Sequence, residues 1–163
     1  MIGVLLDPTL DGSDIQVRDV QAAARAVGQQ VLILNVSTDA DIETAFATLI
    51  AERADAIAIA GGPFLNSKRG RLVELAARHA IPAIYEAPEA AAAGGLMSYG
   101  PSIADVYRQV GVYAGRILKG EKPADLPVLQ PTKFDLIINM RTTKALGLVM
   151  PQTLLVSANE VIE

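Results

Sequence analysis

Over residues 1–100, short apolar runs alternate with longer stretches whose apolar positions recur at helical spacing. This alternation predicts strand–helix–strand units in succession. The runs over 2–6, 30–34, 56–60, 83–85 and 96–98 predict strands, with a later one over 134–138. Several are apolar on consecutive residues, "AIAIA" over 56–60 being one, as expected of parallel strands covered by helices on both faces. Polar residues that cap helices stand between the runs. Ser13 with Gln16 and Ser102 with Asp105 have capping-box spacing, and Thr38, Asn66 or Ser67 can each open the helix that follows. Gly28 and Gly120 supply stops. The expected fold is α/β: a doubly wound, mainly parallel sheet of about five strands in the flavodoxin-like order 2-1-3-4-5, with right-handed crossovers.

The pattern changes after Gly120. "EKPADLPVLQPTK" holds three prolines and predicts an extended surface connection. It leads to a strand in "FDLIIN", a short helix near 142–146 and the tail "PQTLLVSANEVIE". The expected organisation is an α/β ligand-binding lobe over 1–120, followed by an extended connection, an extra strand and a C-terminal helical appendage over 121–163. No internal repeat interrupts this plan, and the alanine-rich "EAPEAAAAGG" predicts a short helix ending at Gly94.

Composition removes several classes of function. With 14 Lys and Arg against 18 Asp and Glu, and no basic stripe, the chain lacks the electrostatic footprint of a nucleic-acid-binding protein. The absence of cysteine excludes disulfides, thiolate catalysis and cysteine-ligated metal. No apolar run has the length a membrane span needs, and Met1 leads into a strand with no export signal before it. His79, the single histidine, falls at an expected helix end, where an imidazolium meets the negative end of the helix dipole. Asp39, Asp41 and Glu43 are explained as acids favoured in a helix's first turn, so no metal site is expected.

In open parallel sheets a ligand sits beyond the carboxyl ends of the strands, against loops and helix N-termini that favour an anionic group. The residues expected on this rim are Pro8 and Thr9 after the first strand, Asn35 after the second and Gly62, Pro63 and Phe64 after the third. Tyr85 and Glu86 follow at the fourth strand, and Ser98 and Tyr99 at the fifth. Three of the seven aromatic residues fall here, whereas Phe46, Tyr107, Tyr113 and Phe134 lie in predicted elements and are assigned to packing. An aromatic wall with a few polar groups describes a binding site for a small molecule with a flat or apolar body and a charged end. Machinery for chemistry is missing. Of a receiver domain's acidic cluster only Asp7 is in place, and neither a phosphate-binding glycine loop nor a nucleophile elbow occurs. No enzyme activity and no cofactor are expected.

The segments "PAIYE", "GGLMSYG", "AGRILKGEKPADLPVLQPTKF" and "INMRTTKALGL", with the earlier "DVQAAARAVGQQVLILNVSTDADIETAFATL", carry a resemblance over essentially the whole chain. It is similar to the C-terminal half of ABC-transporter substrate-binding proteins of the type that includes tryptophan- and tyrosine-binding lipoproteins, a branch of the type I periplasmic binding proteins. The resemblance implies a two-lobed receptor that closes on a ligand and delivers it to an ABC permease. Pro8, Thr9, Asn35, Pro63, Phe64, Tyr85, Glu86 and Ser98 would line this lobe's side of the cleft. The first lobe and the export signal are not in the sequence as written. A periplasmic location follows if the chain is a fragment of an exported receptor, and a cytoplasmic one if Met1 is the true start.

The helix expected over 102–119 has an apolar face of Ile103, Val106, Tyr107, Val110, Ala114, Ile117 and Leu118, with Gly111 and Gly115 four apart. In type I binding proteins the corresponding helix packs on the other lobe. Leaving about five such side chains in water would forfeit on the order of 10 kcal/mol, so the expectation is a homodimer through this helix. The functional expectation is a solute-binding lobe for a small amino-acid-like or aromatic ligand. A small α/β enzyme, a regulatory ligand-sensing module and a truncated remnant without ligand binding are the alternatives.

Overall fold

Each short apolar run becomes a strand in the computed structural model, which describes residues 1–163. β1 (Ile2–Leu6), β2 (Val31–Asn35), β3 (Ala56–Ile59), β4 (Ala83–Tyr85) and β5 (Met97–Pro101) pair in parallel in the order β2-β1-β3-β4-β5, the order expected of the doubly wound class. β6 (Phe134–Asn139) adds to β5 antiparallel, with Met97 opposite Ile138 and Pro101 opposite Phe134. β7 (Glu160–Ile162), drawn from the tail, runs parallel to β6 and completes a seven-stranded sheet.

The helices are α1 (Ser13–Ala26), α2 (Asp39–Ala51), α3 (Pro63–Ser67), α4 (Arg69–Arg78), α5 (Pro88–Ala92), α6 (Ile103–Leu118), α7 (Met140–Ala145) and α8 (Gln152–Ser157). Their starts test the capping arguments. Thr38 and Asp41 form the reciprocal capping box of α2: the Asp41 amide donates to Thr38 Oγ1 at 3.2 Å and the Thr38 amide donates to Asp41 Oδ2 at 2.8 Å. Ser13 forms no such box with Gln16, because α1 is entered through Gly12 in the left-handed region and the Ser13 hydroxyl donates to the Pro8 carbonyl instead. Asn66 and Ser67 lie inside α3, which opens at Pro63, the first-turn position where a missing N–H is harmless. Ser102 precedes α6 without a side-chain cap. Asn139 caps α7, its Oδ1 accepting from the Arg141 and Thr142 amides at 3.0 and 3.2 Å, so this helix starts ahead of the expected 142–146.

One face of the sheet carries the core. Leu5, Ile57 and Ile59 from the strands meet Ile42, Phe46 and Leu49 of α2, Leu65 of α3, and Leu72 and Leu75 of α4 in a continuous buried cluster. At roughly 1.5–3 kcal/mol for each large side chain removed from water, this layer supplies most of the drive to fold. On the opposite face Val4 and Leu6 are buried as well, although the helices there contribute little. α1 buries Ala24 alone, and α6 buries nothing. α6 and the extended return to β6, which includes a 3-10 turn at Pro123–Asp125, form an arm. It is closed at its base by the Ser102 amide donating to the Lys133 carbonyl at 2.9 Å and braced by Tyr113 Oη donating to the Pro127 carbonyl at 2.6 Å. The apolar side chains of the arm stand in solvent, Tyr107 at 71% and Leu118 at 87% exposure.

Candidate functional site

The carboxyl ends of β1 to β5 share one end of the sheet because these strands are parallel. At the β4 and β5 end of that rim lies an open groove of about 360 Å³. Its floor is the β4–α5 connection, Glu86 and Ala87, with Pro88 and Glu89 of the first turn of α5. One wall is the α3–α4 junction with Asn66 and Arg69, and the other is the exit of β5 into the arm, with Pro101, Ile103 and Tyr107. Three charged residues and an aromatic one therefore line the same space.

Arg69 opens α4 and its Nη1 donates to the Asn66 carbonyl at 3.0 Å. Its neighbours are spent on the surface: Lys68 pairs with Asp39 at 2.7 Å, and Arg71 pairs with Glu43 at 2.6 Å and Glu74 at 3.0 Å. Arg69 has no carboxylate partner, and neither Glu86 nor Glu89 forms an ion pair. The groove thus holds one guanidinium and two carboxylates that do not neutralise one another, an arrangement suited to a molecule carrying both charges. Ile103, Pro88, Pro101 and Tyr107 supply the apolar contact.

Of the residues expected on the rim, Glu86 lines this groove. The exposed Thr9 commits its hydroxyl and amide to Asp7 Oδ1 at 2.6 and 2.9 Å, and Pro8 beside it is exposed as well. Asn35 ends the edge strand β2, exposed and remote in sheet order from β4 and β5. Gly62 precedes α3 and faces Leu10. Pro63 is exposed in the first turn of α3. Phe64, expected to stand open in a loop, is helical and half-buried against the core, with Lys68 Nζ 5.8 Å from its ring centroid.

Tyr85 and Ser98 point into the fold. Tyr85 is 3% exposed and belongs to the core cluster, and burial raises the pKa of its phenol. Its Oη and the Ser98 Oγ, on neighbouring strands in register, are buried without a hydrogen-bond partner. Tyr99 lies on the other face of β5, stacked on Phe134 with ring centroids 5.6 Å apart. Alternation along a strand explains the split: successive side chains leave on opposite faces, so Ser98 and Tyr99 cannot both enter one site. The residues that sequence reasoning assigned elsewhere are Asn66, taken as a cap, and Tyr107, taken as packing. A signal was available for Tyr107, since it follows Ile103 by one turn at the start of the helix leaving β5 and so overhangs the strand ends.

A groove at the strand ends of a doubly wound sheet, with charge and apolar surface side by side, is suited to holding a small molecule. The sequence matches the family model for ABC transporter substrate binding proteins over residues 1–162, and the chain belongs to that family. It is similar to an ABC domain from Streptococcus pneumonia whose crystal structure holds L-Trp, with 28% identity and a TM-score of 0.87, covering 99% of this chain and 56% of that one. A ligand-free, open substrate binding protein with adhesive properties from Clostridium difficile shares the fold at 24% identity and a TM-score of 0.70, again covering 99% of this chain and 54% of the other. Among curated proteins, a tyrosine-binding protein of Clostridioides difficile (strain R20291) is 24% identical over 147 residues, which is 90% of this chain and 42% of that protein. The chain spans about half the length of these relatives or less.

Proposed function

We propose that this chain is a solute-binding lobe of an ABC-type importer and that its groove holds an aromatic amino acid without transforming it. The observation that carries the reading is the unpaired trio of Arg69, Glu86 and Glu89 facing one space beside Tyr107. Arg69 takes the ligand carboxylate through its planar fork, Glu86 and Glu89 take the ammonium, and the ring of the ligand lies on Tyr107 and the two prolines. The groove volume of about 360 Å³ is at the small end of the range for ligand pockets and suits a single amino acid. The L-Trp held by the pneumococcal relative supports the same class of ligand.

In a complete receptor the loaded lobe presents its ligand to a membrane permease from the outer side of the membrane. No helix here is long and apolar enough to cross a membrane. The arm is covered by a second copy of the chain. Tyr107, Val110, Leu118 and Val128 are each more than half exposed and form an apolar face for that partner. Light scattering at micromolar concentration tests this, and a monomer there would refute the dimer while leaving the groove reading intact.

The functional experiment is a thermal-shift and calorimetric panel of the twenty common amino acids, with each ligand recovered and analysed afterwards. Tryptophan, tyrosine or phenylalanine should raise the unfolding midpoint, and all should be recovered unchanged. Failure of every amino acid to bind, or recovery of an altered product, would overturn the proposal.

A further inference from the structure

We propose that Gly61, by carrying no side chain, positions the Glu86 carboxylate so that the groove selects ligands with a primary ammonium group; this rests on the functional reading above. Tyr85 stands in register with Ile59 of β3 and Ser98 of β5, so the next residue, Glu86, leaves the sheet between the continuations of those two strands. One residue beyond the position level with Glu86, each of those strands carries a glycine, Gly61 after β3 and Gly100 in β5. A Cβ on Gly61 would lie 2.6 Å from Glu86 Oε2 and 2.7 Å from its Cδ. A Cβ on Gly100 would run into the Glu86 backbone carbonyl and approach its Cγ to 3.3 Å. The carboxylate therefore lies down against the bare backbone of Gly61.

Glu86 receives no hydrogen bond from any other group of the chain and forms no ion pair, although it is only partly exposed. A half-buried carboxylate with open lone pairs favours a compact cation with several donors, and an ammonium supplies three. No cluster of three potential metal ligands lies near it to favour a metal ion instead. The two glycines act differently. Gly100 would clash with rigid backbone, so it is required by the fold. Gly61 would meet only the far end of a flexible side chain, and its φ is not in the left-handed region. An added methyl there moves the carboxylate and little else.

Calorimetry with two probes tests the assignment: L-tryptophan and indole-3-propionate, which keeps the ring and carboxylate but lacks the ammonium. The unmodified protein should prefer L-tryptophan by about ten- to a hundredfold. Gly61→Ala should collapse that preference by weakening L-tryptophan alone, with the unfolding midpoint unchanged. Glu86→Gln, which alters charge and not shape, should reproduce the same collapse. Retention of the preference in Gly61→Ala overturns the positioning role, as does equal loss of both probes. Equal binding of the two probes by the unmodified protein overturns the selection of ammonium while leaving the groove reading in place. Binding of neither removes both proposals.

Discussion

Arg69→Ala separates a residue kept for a ligand from one kept for the fold. The only protein hydrogen bond given up is the exposed one from Nη1 to the Asn66 carbonyl, so stability should change by no more than about 0.5 kcal/mol. Binding should respond strongly. A hydrogen-bonded interaction with a charged group is worth about 1.5–3 kcal/mol when shielded, while a fully exposed ion pair contributes about 0–1 kcal/mol. The groove is open and Arg69 is itself exposed, which places the loss where the two ranges meet, near 1 kcal/mol, or roughly a 5-fold rise in Kd for L-tryptophan. Arg69→Lys retains the charge but not the fork and should recover only part of the affinity. The assay is isothermal titration at two salt concentrations with a melting curve for each variant. The reasoning is refuted if Arg69→Ala binds within twofold of the unmodified protein, or if its midpoint falls by several degrees.

The remaining predictions concern the scaffold. Tyr85→Phe removes a buried hydroxyl that has no partner and should raise stability by about 1 kcal/mol in denaturant unfolding; a loss would reveal a hydrogen bond to that oxygen. Ala80, at φ 52 after α4, is held in the left-handed region, and Ala80→Gly should raise the midpoint by roughly 1–4 °C. The Ser37 amide, followed by the Thr38 hydroxyl, holds the Asp41 carboxyl below its ordinary value of 3.8. A depressed folded pKa contributes stability above the unfolded value that is lost as pH falls through the folded one, so unfolding monitored below about pH 4 should show an acid limb that Asp41→Asn flattens.

The sheet was legible because buried parallel strands are written as consecutive apolar residues, as in "AIAIA", with glycine or a helix cap following each. Two elements were not. β7 is only three residues long, Glu160–Ile162, and takes its strand form by lying beside Ile137 to Asn139. α3 was missed because Gly62 and Pro63 read as a loop, though Pro63 serves as the helix's first residue. At the rim, Glu86, which lines the groove, stood out in the sequence because a charged residue ending a buried strand is conspicuous. Tyr85 and Ser98 were drawn in by adjacency, and pleating turns them inward. Arg69 carried no sequence signal, because Lys68 and Arg71 are equally basic and only geometry shows which of the three lacks an acid.

Tyr107 and Ile103 belong both to the groove wall and to the uncovered helix of the arm. Any surface that seats α6 therefore fixes one side of the pocket, and a molecule in the pocket steadies the first turn of α6 in return. Thermodynamic reciprocity then requires that the factor by which a bound solute tightens that association equal the factor by which the association tightens the solute.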